Sequence, residues 1–304
     1  MRLSFRQRSA ATVPPLAAHR TARAARCDGR GAGARSTASL ARTVACVALS
    51  SCCAGAGAFE IYGATPANKL VRFDSATPEA TSVVGITGFG AGEIVVGIAF
   101  RPLGQQLYAL TNGGSGGNSS LYTVDPATGA ATLAFPLGAI LSGGKFGMRF
   151  SPPSDRLRIV SDAGQNLRIN PATGGLTVDV PLGPDMPHVV AIAYTNAFAG
   201  AATTTLYDID SASDTLLVQD NPNGGTLVAV GDLGFDTADA AGFDILTLAS
   251  GDVAYATLRV GGVTGLYTIV LQTGVAGYVG AVSGNPTLIA LAIRPDFIFT
   301  DGFD

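Results

Sequence analysis

Cysteine is absent after residue 53, tryptophan is absent throughout, and histidine occurs only at His19 and His188. No lysine or arginine falls between Arg168 and Arg259, an interval that holds eleven aspartates. Each absence excludes a class of function. Without cysteine the folded part has neither disulfides nor thiol chemistry. One histidine is a poor start for a zinc site, which needs several nitrogen or sulfur ligands. A serine-histidine-aspartate set would have to use His188. A long stretch with acids and no bases argues against nucleic acid or an anionic membrane as partner.

The first 58 residues differ from the rest. They hold Cys27, Cys46, Cys52 and Cys53, nine arginines and a single acid, Asp28. Residues 43–58 form an apolar run too short to span a bilayer comfortably. Arg42 precedes the run and Ala56-Gly57-Ala58 ends it, a small-x-small pattern. Residues 1–58 are therefore expected to be a secretory leader cleaved after Ala58, which sends the chain to the periplasm or outside the cell. No twin-arginine pair is present. Leu49-Ser50-Ser51-Cys52 has the form of a bacterial lipobox, so a lipid anchor on Cys52 is the alternative. Beyond the leader, ten Lys and Arg (19 less nine) face 21 Asp and Glu (22 less one), a net charge of −11. That balance suits a cationic partner or metal ions, and it also keeps a secreted protein soluble.

With 47% hydrophobic residues, 40 glycines and 13% charged residues, the chain suits many short strands and turns. Residues 145–175, KFGMRFSPPSDRLRIVSDAGQNLRINPATGG, show the plan. An apolar run, Phe146 to Phe150, is stopped by Pro152-Pro153, which lack the amide hydrogen a ladder needs. Arg156 to Val160 and Leu167 to Asn170 alternate polar and apolar, the period of a half-buried strand. Asp162 to Gln165 and Pro171 to Gly175 are turn chemistry. Leu176 to Val180 supplies a fourth strand.

This plan of strands A to D recurs. The A strands GIAFRP (97–102), GMRFSP (147–152), AIAYTN (191–196), GFDILT (242–247) and ALAIRP (290–295) start 50, 44, 51 and 48 residues apart. The C strands start at Leu70, Leu121, Leu167, Leu216 and Leu266, spaced by 51, 46, 49 and 50. Two landmarks holding one period mark a repeat of about 40–50 residues, the size of a propeller blade. Residues 59–86 supply B, C and D with no A, whereas the last A strand has nothing after it. Pairing that last strand with the first three closes a five-bladed β-propeller of four-stranded antiparallel blades over residues 59–295 and removes exposed edges. A parallel β-solenoid is the rival fold.

FGMRFSPPSDRLRIVSDAGQNLRINPATG (146–174), AIAYTNAFAGAATTTLYDIDSASDTLLVQDNPNGGTLVAVGDLG (191–234) and AGFDI (241–245) resemble the secreted bacterial proteins of domain of unknown function 4394. The resemblance implies export and a propeller-like repeat, and it implies no activity. It also implies aspartate at the third A position, as in Asp244; Ala99 and Arg149 stand at equivalent places. The tail DFIFTDGFD (296–304) resembles a short C-terminal tail of some secreted bacterial proteins.

Innermost strands line a propeller's axis. The third A positions are Ala99, Arg149, Ala193, Asp244 and Ala292; three small residues would leave space, and Arg149 and Asp244 are expected to pair across or near the channel. Glu93, Lys145, His188, Asp239 and Asn285 precede the A strands and are expected around one mouth, where convergent polar groups could hold a ligand. Asp208-x-Asp210-x-x-x-Asp214 is a candidate calcium loop, but Ser213 replaces the glycine and the final glutamate is missing. Gly113-Gly114-Ser115-Gly116-Gly117 fits G-x-S-x-G inside a glycine-rich loop, not the elbow that motif requires. Arg156, Arg158 and Arg168 are expected to pair with Asp155, Asp162 or Asp179, and Asn166 and Asn170 to serve turns. The favoured function is a monomeric, non-enzymatic module that binds a protein or small molecule. The alternatives are a hydrolase or lactonase-like enzyme with a divalent ion held by Glu93, Asp239 and Asn285, and an envelope structural protein anchored through Cys52.

Overall fold

A computed structural model describes residues 58–295, apart from 114–116, 118, 185–186 and 240. Residues 1–57 of the expected leader with the candidate lipobox, Ser115 and the tail lie outside the described residues. Twenty strands form five four-stranded antiparallel sheets, and no helix occurs among the described residues.

Blade I contains β1 (Glu60–Thr65), β2 (Lys69–Asp74) and β3 (Thr77–Gly85). Blade II is β4 (Ile94–Phe100), β5 (Leu107–Asn112), β6 (Ser120–Val124) and β7 (Ala131–Pro136). Blade III is β8 (Phe146–Ser151), β9 (Arg156–Ser161), β10 (Asn166–Ile169) and β11 (Leu176–Val178). Blade IV is β12 (Val189–Tyr194), β13 (Leu206–Asp210), β14 (Thr215–Asn221) and β15 (Thr226–Asp232). Blade V is β16 (Gly242–Leu248), β17 (Gly251–Val260), β18 (Val263–Ile269) and β19 (Ala276–Ala281). The last strand, β20 (Ala290–Ile293), joins blade I in the order β20-β1-β2-β3. It pairs antiparallel with β1, Ile61 opposite Ile293 and Ala64 opposite Ala290. The expected five blades are therefore present, and the two ends of the domain share one sheet.

Burial falls outward in each blade. β12 is buried along its whole length, whereas the outer β3, β7 and β19 are mostly exposed. Inner strands touch those of both neighbouring blades, β4 with β8, β8 with β12, β12 with β16, β16 with β20 and β20 with β4. The apolar core is accordingly five seams, one between each pair of blades. Along the A strands the second position enters the preceding seam and an alanine at the third enters the following one. Ile98 packs with Tyr62, Leu70 and Ala290, while Ala99 packs with Phe146, Met148 and Phe150. This is the period-two alternation of a strand whose two faces are both covered.

The narrow ends of the wedges explain the glycines that begin several A strands. A Cβ on Gly242 would lie 2.5 Å from the Leu291 nitrogen, and one on Gly147 would lie 2.9 Å from the Ile192 nitrogen. Backbone atoms of the adjacent strand cannot yield there, so only hydrogen fits.

The outer edges are latched as well. Thr87, after β3, donates to Gly129 and accepts from Ala131 beside β7. Gly183, after β11, accepts from Leu227 of β15, and Leu233, after β15, accepts from Ala276 of β19. These bonds occupy groups that an open edge would offer to other chains.

Candidate functional site

The axis is filled. Arg149, at the third place of its A strand, is 6% exposed, and its guanidinium reaches across to other blades. Nε donates to Asp244 Oδ1 at 3.0 Å. One terminal nitrogen donates to the carbonyls of Ile98 and Met148 at 2.8 and 2.9 Å, and the other to those of Phe243 and Leu291. The inner strands of blades I, II, III and V thus share one cation. Asp244 completes the tie, since Oδ2 accepts from the Ile293 amide at 2.7 Å and Oδ1 from the Ile245 amide at 2.9 Å. Burial pushes the Asp244 carboxyl up, against the pull of Arg149 and these bonds.

The expected pair therefore forms, but the expected space does not. Ala99, Ala193 and Ala292 turn into the seams, not toward the axis. The axial space beside Gly147, Ala191 and Gly242 measures about 10 Å³, no more than one water needs. On the far side of the guanidinium, between Phe100, Phe150 and Tyr194, it measures about 30 Å³. Neither accepts a ligand of ordinary size.

The five residues preceding the A strands do not share one environment. Glu93 is buried within blade II, where Ser120 donates to Oε1 at 2.7 Å and the Gly90 amide to Oε2 at 3.0 Å, together with Tyr122. Burial raises the Glu93 carboxyl, yet the bonds from Tyr122, Ser120 and Gly90 outweigh it and hold the group below the usual carboxylate range. Asn285 closes the β17–β18 turn, accepting from Thr264 N at 2.8 Å and donating to Gly262 O at 3.0 Å. Lys145 is half-buried, and its carbonyl accepts from the Asp162 amide at 3.1 Å. Only His188 and Asp239 come together.

Two residues not foreseen join them. His188 Nδ1 meets Ser211 Oγ at 3.0 Å, and Ser211 Oγ donates to Asp239 Oδ1 at 3.0 Å. Asp162 Oδ2 lies 3.7 Å from His188 Nε2, and Asp239 Oδ1 lies 3.7 Å from Nδ1. Asp162 comes from the β9–β10 turn of blade III, Ser211 from the β13–β14 turn of blade IV, and Asp239 from the passage into blade V. The B–C turns share a rim with the D–A passages, and that signal in the repeat could have identified both. A groove of about 380 Å³ adjoins the cluster, lined by His188, Pro184, Pro187, Leu217 and Leu227.

The three aspartates of the candidate calcium loop part ways. Asp210 accepts from the His188, Ala212 and Ser213 amides at 2.8–3.1 Å. Asp214 accepts from the Thr237 amide at 2.8 Å. Asp208 enters the seam between blades III and IV, 0% exposed, and neither of its oxygens meets a donor among the described residues. Among the described residues no three His, Cys, Asp or Glu side chains converge as metal ligands would.

In that same seam Arg158 is committed elsewhere. It donates to Tyr194 Oη at 3.1 Å, Asp179 Oδ2 at 3.1 Å, Pro222 O at 3.0 Å and Asn223 Oδ1 at 2.7 Å. Arg168 grips Asp179 at 2.6 and 2.8 Å, as expected of these arginines. Asp155 instead holds Arg101 of blade II. Asn166 is a seam residue, not a turn residue, and donates to Val180 O and Pro222 O at 2.9 and 2.8 Å. Burial pushes the Asp208 carboxyl well up, against a smaller pull from Arg158, and burial likewise raises the Tyr194 phenol.

The repeat now has a known counterpart. The family model described as a domain of unknown function, DUF4394, matches residues 69–292. The chain belongs to this family. The DUF4394 match spans the blades from β2 to β20. No curated protein matches the sequence. Among solved structures the chain is similar to TolB from Acinetobacter baumannii, at 15% identity over 79% of this chain and 67% of that one, TM-score 0.43. A structural-genomics protein of unknown function from Bacteroides thetaiotaomicron shares 13% over 79% and 66%, TM-score 0.49. The periplasmic gluconolactonase of Pseudomonas aeruginosa shares 14% over 78% and 70%, TM-score 0.41. At such values the likeness carries no functional argument.

Two predictions follow from the buried charges. Arg149→Met strands Asp244 in the core and should cost about 3–5 kcal/mol, read as a lower urea midpoint; an unchanged midpoint would refute the axial tie. For Asp208, the folded carboxyl titrates above its unfolded value near 4. The folded state then binds the extra proton, so stability is greatest below that value and declines as pH rises through the folded pKa. Asp208→Asn should flatten that decline and raise the melting temperature at neutral pH by about 2–4 °C for each kcal/mol recovered. Parallel pH profiles for the two proteins would contradict the assignment.

Proposed function

We propose that this DUF4394 propeller is an exported, non-enzymatic binding module whose partner docks on the rim where blades III, IV and V meet. The observation that carries the reading is the convergence of His188, Ser211, Asp162 and Asp239 from three blades beside one groove. Polar groups gathered at a concave surface are the usual make-up of a recognition site. Two carboxylates in that set, on a chain that carries a net charge of −11 beyond residue 58, favour a cationic partner. The groove's Leu217 and Leu227 add an apolar contact to the charged one. The leader fits this role by carrying the chain out of the cytoplasm, with cleavage after Ala58 leaving a monomer that starts at Phe59. No helix among the described residues is long and apolar enough to cross a membrane.

Calorimetric titration with tetralysine tests the rim. Binding should weaken as salt rises, and should fall about tenfold or more in Asp162→Asn/Asp239→Asn, as expected for lost charge-assisted contacts. Equal affinity of parent and variant would remove the rim from consideration. N-terminal sequencing of the exported protein should begin Phe-Glu-Ile-Tyr; a lipid on Cys52 would show instead that the chain is anchored.

A further inference from the structure

At the opposite ends of the same strands, blades IV and V part to leave a second concavity. It measures about 530 Å³, within the range of small-molecule sites, roughly 300–1,000 Å³. Its buried lining is apolar, from Ala254, Ile269 and Leu271, continuous with the seam between these blades. Tyr207, Asp252 and Gln272 stand around it.

The polar groups there are prepared and unspent. Asp252 Oδ1 accepts from Thr247 Oγ1 at 2.6 Å, and Thr247 Oγ1 in turn accepts from the Ala197 amide at 2.8 Å. This relay fixes the carboxylate while leaving Oδ2 without a donor among the described residues. Tyr207 is half-buried, packed on the seam, and its hydroxyl meets no hydrogen-bond partner among the described residues. Burial raises its phenol, helped by the nearby Asp252 charge, so it keeps its proton and stays a donor. Gln272 is exposed, with an amide that can both donate and accept.

We propose that this cleft binds a neutral sugar ring, with its C–H face against the Tyr207 phenol and its hydroxyls on Asp252 Oδ2 and the Gln272 amide. An aromatic ring beside one fixed acceptor and neutral groups suits a polyhydroxylated ring, which is apolar on its face and polar at its edge. An amine would call for more than one free carboxylate or for a cage of rings. The site is independent of the rim, which lies at the other ends of these strands.

Saturation-transfer NMR on the purified chain, with D-glucose, D-galactose and N-acetyl-D-glucosamine at tens of millimolar, tests this. At least one sugar should receive transfer. Asp252→Asn, whose amide can still accept from Thr247, should keep the parent melting temperature yet bind about tenfold more weakly. Tyr207→Ala should abolish the transfer, with its circular dichroism checking the fold. The rim variant Asp162→Asn/Asp239→Asn should bind sugar normally, which separates this site from the rim. The proposal is overturned if none of the three sugars receives transfer, if neither cleft variant changes it, or if putrescine binds in their place.

Discussion

A propeller gathers the inner strands of all its blades around one line, and there is too little room at that line for water to solvate their carbonyls. Buried carbonyls need donors. This chain supplies them from one side chain. Arg149 gives one N–H to Asp244 and the rest to the carbonyls of Ile98, Met148, Phe243 and Leu291. A guanidinium is suited to this because its donors radiate in a plane; lysine's compact ammonium could not face four strands at once. The charge is tolerated because Asp244 neutralises it, and Asp244 is tolerated because two backbone amides satisfy it.

That pair also bears on closure. The strand that shuts the ring, β20, is four residues long. Four residues in a ladder are a weak anchor alone, yet Leu291 O and Ile293 N are both held by the axial pair. One buried ion pair thus supports the junction on which the whole ring depends. The glycines at the starts of A strands are part of the same constraint, because Gly147 and Gly242 let the strands approach closely enough for a single arginine to span them.

The blades were legible in the sequence because each carries the same alternation and the same turns at one period, and closure followed from the missing A strand at one end and the surplus one at the other. The Arg149–Asp244 pair was legible because both occupy the third A position. The emptiness of the channel was misjudged at Ala99, Ala193 and Ala292: their strand faces are covered by neighbouring blades, so a small residue there tightens a seam and does not widen the axis. The mouth was legible only in part. Position before an A strand places a residue's backbone on the rim, but hydrogen bonding decides where the side chain goes. Glu93 finds Tyr122 and Ser120 inside its own blade, and Asn285 finds a turn. Asp162 and Ser211 were missed because they belong to turns whose proximity to His188 exists only once the blades are closed.

The plugged axis leaves the larger concavities farther out. Blades touch at their narrow ends and diverge toward the perimeter, so usable concavity arises where a seam opens at either end. The III–IV seam is the most polar of the five, with Arg158, Asn166, Asp179 and Asp208 buried in it. Directional bonds there fix the relative placement of two blades more narrowly than apolar contact would, at a cost in stability carried by Asp208. His188 stands at the rim end of that seam and links Asp162 of blade III to the turns beyond. The IV–V seam is apolar along its depth and becomes polar where Tyr207 and Asp252 reach solvent. Both seams thus present polar groups to solvent at their ends. A closed-axis propeller can vary its loops there without disturbing Arg149, which makes the seam ends the part of the fold free to acquire a function.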